Sequence, residues 1–283
     1  MRSFRFIAIL YVSLFLTTTL SAQRAADFRS VVEKRLAEAK LELKDVCPVD
    51  TNVVAHRVFK DYGAMYVANS TVRYPTKCVF SSEEEVAAFQ NDIPTTLETV
   101  SGRAITLQTP AMIALKEAVA AAAKKRLTIT PRGATAAKRG YADTFRIWNS
   151  RFEPGLNHWV RQGKITAADA IKARQADTID QVAQVIEWET SGWWFSTGMN
   201  RSIFSSVAAP GTSQHLSMVA LDVAEFGNVE VRQILNEHGW YQTIIDDTPH
   251  FTYLGLKGSE LPARGLKLQF AGQFTFWIPN FDR

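Results

Sequence analysis

Phe28, Val31, Val32, Leu36, Ala39 and Leu43 recur at three- and four-residue spacing, which predicts an amphipathic helix from Asp27 to about Lys44. Cys47-Pro48-Val49-Asp50 ends it. A short helix is expected over 53–62, and the unbroken apolar run 64–68 reads as a strand. Ser81-Ser82-Glu83-Glu84 offers capping hydroxyls and acids suited to the positive end of a helix. Pro110, followed by an Ala-rich run with Met112, Leu115 and Val119 on one side, predicts a helix over 109–125. Residues 127–130 read as a strand running into Pro131-Arg132-Gly133. Further helices are expected over 142–148, from Ala167 behind a Thr166 cap, and over 177–190. The last third alternates short strands with turns, at 218–223, 250–254, 266–270 and 274–278. Helices kept apart from strand runs indicate an α+β fold: a small antiparallel sheet carrying the candidate site, flanked by helices, with an N-terminal helical attachment.

The first 22 residues change the picture of the compartment. Arg2 and Arg5 precede the apolar run Phe6–Leu16, and Thr19-Leu20-Ser21-Ala22 offers small residues for cleavage, the layout of an export signal. A retained anchor is the alternative, but the run is shorter than the roughly 20 residues a membrane-spanning helix needs. Residues 23–104 then form a support region without obvious chemistry, and 105–283 hold the candidate catalytic domain. The formal charge of +4 includes the two leader arginines, so it argues no nucleic-acid partner, and no basic cluster interleaved with aromatics is present. After signal cleavage no stable membrane insertion is expected. In an oxidising compartment the two cysteines, Cys47 and Cys78, read as a disulfide rather than as metal ligands.

Chemistry concentrates in Ser213-Gln214-His215-Leu216-Ser217-Met218-Val219-Ala220-Leu221-Asp222. On one continuous strand, residues seven apart face opposite ways. If His215 and Asp222 hold one ion, the chain bends after His215. An Asp within so apolar a run is costly to bury without a partner, and a cation would supply one. His250 is the best third ligand, and two imidazoles with one carboxylate form the set of a catalytic rather than a structural zinc site. Asp247, three residues before His250, is in position to act as general base, with Asp246 as the neighbouring alternative.

These residues resemble the VanY-like D-alanyl-D-alanine carboxypeptidases of the LAS zinc metallopeptidases, whose pattern is SxHxxGxAxD followed by ExxH, with an earlier arginine after a strand. Ser213, His215, Ala220 and Asp222 match the first motif and His250 the second. The resemblance spans roughly residues 105–260. It implies Zn2+ on His215, Asp222 and His250, Asp247 as the base, Ser213 as a substrate-binding residue, and Arg132 at the oxyanion, with Arg139 and Arg201 as competing arginines. It also implies peptidoglycan stem peptides as substrates and a bacterial periplasmic or extracellular location. An endopeptidase with the same site, or a wall-binding module with impaired catalysis, are the rival readings. Met218 stands where the pattern has Gly, Pro249 where Trp is frequent, and Asp247 where the base is Glu.

The remaining histidines have simpler explanations. His238 lies in a last helical turn closed by Gly239, where a helix dipole favours it. His158 and His56 read as packed or surface residues. Trp188, Trp193, Trp194 and Phe195 are a core cluster or a sugar-binding groove. A Ser-His-Asp triad from Ser213, His215 and Asp222 lacks the strand–turn–helix elbow such a nucleophile needs.

Overall fold

Side-chain caps set where most of the helices begin in the computed structural model, which describes residues 25–281. The anticipated leader lies outside these residues. Asp27 accepts the Ser30 N–H to open α1 (Phe28–Glu38). After the one-turn α2 (Leu43–Val46), Asn52 caps α3 (Val53–Tyr62) and Ser82 caps α4 (Glu83–Asn91). Each cap satisfies an amide that the helix itself leaves without a partner.

The run 64–68 corrects the strand expected there. It is a 3-10 turn over Gly63–Val67 that continues α3, with every residue buried. A fully buried apolar run carries no periodicity to tell strand from helix.

The hairpin β1 (Thr95–Val100) and β2 (Arg103–Gln108) was not anticipated. Its Ser101-Gly102 turn has positive φ at both residues, 46° and 79°, the handedness that suits a two-residue hairpin. The hairpin feeds α5 (Thr109–Lys124), as the proline in the first turn predicts. Residues 127–130 form no strand. Only an isolated bridge, Pro131 to Val223, marks the place, because proline has no N–H with which to extend a ladder.

The helix α6 (Tyr141–Arg161) is three times its anticipated length and runs through Pro154. Burial of Trp148, Phe152 and Leu156 along one face offsets the roughly 3 kcal/mol an interior proline costs. Thr166 and Asp177 cap α7 (Ala167–Gln175) and α8 (Thr178–Thr190). Trp188 and Phe195 stack in the core, while Trp193 and Trp194 are only partly buried.

The sheet that matters for function contains β3 (Ala220–Asp222), β4 (Trp240–Tyr241) and β5 (His250–Tyr253), in the order β3-β5-β4 and antiparallel throughout. Between β3 and β4 lies α9 (Val229–Glu237), closed by Gly239 at φ 78°. His238 there bonds through Nδ1 to the Ile234 carbonyl, at 2.7 Å. A separate hairpin, β6 (Leu266–Ala271) with β7 (Phe274–Pro279), ends the chain. The whole is α+β, with small antiparallel sheets among helices. One contiguous buried cluster takes in Phe28 and Phe59 at the front, Trp148 and Trp240 in the middle, and Phe281 at the end. No helix among the described residues is long and apolar enough to cross a membrane.

Cys47 and Cys78 form a disulfide across 31 positions of sequence. A loop of that length loses enough unfolded-chain entropy to stabilise the fold by about 3–4 kcal/mol. Replacing both cysteines by serine is expected to lower the urea midpoint accordingly. An unchanged midpoint would show that the staple adds nothing.

Candidate metal centre

Asp222 and His250 are Cα partners across β3 and β5, and residues directly opposite in an antiparallel pair project from the same face. That register, invisible in the spacing of the sequence, carries two of the three expected ligands to one point. The third arrives from a 3-10 turn, Gln214–Ser217, whose first amides are met by Ser213: its Oγ accepts the His215 N–H. The bend inferred after His215 is present, and Met218 makes it with a left-handed backbone (φ 53°, ψ 33°). Glycine would adopt this freely, whereas a side chain there costs about 1–2 kcal/mol. The Met218 side chain is fully buried, and burying a side chain of that size contributes roughly 1.5–3 kcal/mol. Packing therefore outweighs the backbone cost, and the turn survives without the pattern's glycine.

Two glutamines from the front of the chain hold this turn. Gln108 donates to the Ser217 carbonyl at 2.7 Å and Gln90 to the Leu216 carbonyl at 3.0 Å, and Gln90 also reaches the Arg139 carbonyl. Gly211, just upstream, lies against the Phe80 backbone and accepts the Phe80 N–H. None of these supports was legible beforehand, because a buried glutamine has no sequence signature apart from its place in an apolar stretch.

His215 Nε2, His250 Nδ1 and Asp222 Oδ1 form a triangle with edges of 3.2, 3.3 and 3.5 Å. Ligand atoms of a tetrahedral zinc site with bonds of about 2.0–2.2 Å stand about 3.3–3.6 Å apart. Hydrogen bonds behind the rings fix which nitrogen faces inward. His215 Nδ1–H donates to the Ala137 carbonyl at 2.7 Å, leaving a lone pair on Nε2. His250 Nε2–H donates to Gln214 Oε1 at 2.8 Å, leaving a lone pair on Nδ1. With both rings neutral, three proton-free donors thus face one another, an arrangement that is repulsive without a cation and suits one well. The residues fit a zinc ion.

The charges around the triangle agree. Burial, reinforced by the nearby Arg139 guanidinium, pushes His215 down to about 4, so its ring is neutral at ordinary pH. Burial would push Asp222 up, and the Arg139 guanidinium acts against it to favour the carboxylate. Arg139 Nη2 donates to Asp222 Oδ2 at 2.7 Å, which turns Oδ1 toward the histidines. His215 and His250 are buried, whereas Asp222 retains 20% side-chain exposure, so the triangle opens to solvent on the aspartate side.

The other expected site residues lie around this point in different ways. Asp247 is half-buried one turn before His250, whose N–H donates to the Asp247 carbonyl. Burial pushes its carboxyl up to about 7, with Asp222 adding repulsion and His250, Arg139 and Arg132 acting in the opposite sense. Asp246 is exposed, has φ 67°, and pairs loosely with Arg201 at 3.7 Å. The two neighbouring acids are therefore in different environments, Asp246 against Arg201 and Asp247 beside the triangle. Ser213 is buried with its hydroxyl engaged in the cap. Arg132 has an exposed side chain, with its guanidinium 5.4 Å over the Phe226 ring, while its backbone N–H donates to the Asp222 carbonyl. Of the arginines weighed from sequence, Arg139 is the one that touches a member of the triangle.

No family model and no curated protein matches the chain. Among solved structures, the chain is similar to a crystal structure of a mutant of the vancomycin-resistance D,D-pentapeptidase VanY, from a VanB-type resistance cassette, in complex with Zn(II). That likeness covers 59% of this chain and 81% of the other, at 17% sequence identity and a TM-score of 0.34.

Proposed function

We propose that this protein is a zinc-dependent D-alanyl-D-alanine carboxypeptidase that hydrolyses the peptide bond at the D-Ala end of peptidoglycan stem peptides. The observation that carries the reading is the triangle of proton-free donors on His215, Asp222 and His250, beside a carboxyl held near neutrality. Those three residues would hold the ion. Zinc bound there supplies Lewis acidity toward a carbonyl and makes water a competent nucleophile near neutral pH.

The chain's own groups divide the remaining work. Asp247 Oδ takes a proton from the attacking water and returns it to the leaving amine, a task for which a pKa of about 7 is well matched at neutral pH. Arg139 holds Asp222 and adds positive charge beside the place where an oxyanion would develop. Arg132, the residue assigned this role by motif resemblance, contributes at longer range through the same field. Ser213 keeps the His215 turn in shape, and substrate contact through its hydroxyl rests on the motif resemblance. The choice of peptidoglycan over other peptides also rests on that resemblance, not on the geometry.

The test is to incubate the zinc-loaded protein with purified muropeptides and weigh the products. Release of free D-alanine is the expected result. A shortened crosslink would name an endopeptidase instead, and intact muropeptides would overturn the hydrolytic reading.

A further inference from the structure

We propose that Gln214, the residue between Ser213 and His215, is a positioning residue that sets the tautomer of His250, and that it does so because α3 orients it. The inference rests on the metal-centre reading above. Gln214 is fully buried. Its Nε2 donates to the Tyr62 carbonyl, the last residue of α3, at 2.8 Å. That contact fixes the amide, because the reversed orientation would set two carbonyl oxygens against each other. Oε1 must then face His250 and Thr252, where it has no proton to give. His250 Nε2 therefore carries the hydrogen, and Nδ1 is left bare on the side of His215 and Asp222.

The neighbouring hydroxyls obey the same logic. Thr252 has one proton and donates it to Gln214 Oε1, so Thr243 donates to Thr252 Oγ1, at 2.7 Å. Thr243 and Thr252 are both fully buried, which leaves no bulk water to substitute for either bond. A helix remote in sequence from every ligand thus controls the protonation pattern of one of them, through a single side chain.

Two measurements test this. Long-range proton–nitrogen NMR on the metal-free protein reads the His250 tautomer directly and needs no variant. Hydrogen on Nε2 is expected, and a ring with hydrogen on Nδ1 and none on Nε2 would overturn the proposal even if the protein binds zinc. Competition with a chromophoric chelator then compares zinc affinity in Gln214→Leu and Gln214→Glu. Loss of the acceptor in Gln214→Leu should weaken binding by about 10–100-fold, the usual effect of removing a partner behind a ligand. Gln214→Glu keeps the acceptor toward His250 but, when ionised, sets its second oxygen against the Tyr62 carbonyl, so it should restore the affinity only in part. Equal affinity in all three proteins would also overturn the proposal, with cobalt absorption spectra and thermal melts checking site geometry and folding. A wild type that takes up no zinc, yet has hydrogen on Nε2, would refute the metal reading and leave the positioning role of Gln214 intact.

Discussion

Replacing Asp247 by Asn should lower hydrolysis by about 10²–10⁴-fold, the range a positioned proton acceptor contributes, while making the metal-free protein more stable. The two effects have one cause. The Asp247 carboxyl is raised from 3.8 to about 7, chiefly by burial, so the native state disfavours its charge. A carboxyl raised on folding stabilises fully below its unfolded value and loses that contribution as pH climbs through its folded value. The window is therefore about pH 4 to 7. At pH 8 the metal-free wild type should bear a penalty of about 2–4 kcal/mol that the Asn variant lacks, discounted for the partial exposure of the group. At pH 4 the difference should vanish. Urea titrations of both proteins in chelator at the two pH values measure it. Equal stability at pH 8, or an Asn variant that hydrolyses normally, would remove Asp247 from the role of base. Asp247→Glu supplies the acid of the family pattern but moves it by about 1 Å, so roughly hundredfold slower turnover is expected. An inert wild type made active by Glu would favour the wall-binding reading instead.

The second large effect is expected from Gly211→Ala. A methyl group at this position would overlap the Phe80 carbonyl oxygen and lie 2.9 Å from its carbon, and the backbone there has φ 77°. Neither strain can be relieved by rotating a side chain, because the obstacle is main chain. The same residue accepts the Phe80 N–H at 2.9 Å and donates to Thr144 Oγ1 at 3.1 Å. Destabilisation of more than about 3 kcal/mol is expected, together with weakened zinc binding, since Ser213 and His215 follow directly. Calorimetry and chelator competition on the same preparation would measure both. A variant that melts within a degree of wild type would mean the loop has room this structure does not provide.

The clustering of three side chains was legible because such residues have few alternative uses. His215, Asp222 and His250 were recognisable from residue type and spacing, and the bend between the first two followed from strand alternation. What the sequence did not contain was pairing. Nothing in it says that Asp222 lies opposite His250, or that Arg139 rather than Arg132 reaches the aspartate, because both facts depend on contacts between segments distant along the chain. Helix starts were read well where a cap is local, as at Ser82, Thr166 and Asp177. The apolar run after Tyr62 reads as a strand yet folds as a 3-10 turn, since complete burial erases periodicity. The β1–β2 hairpin was missed although its Ser-Gly turn and flanking alternation were available to see.

With an ion at the proposed centre, the register of β3 on β5 would also make it a proofreader. Displacing either strand by a single position would swing Asp222 or His250 to the far side of the sheet, since alternate residues point opposite ways. A molecule with shifted strands would keep its hydrogen-bonded ladder and forfeit its coordination. On the proposed metal reading, metal content per chain would be a census of correctly paired molecules, and zinc supplied during refolding would draw the population toward the one alignment that can grip it.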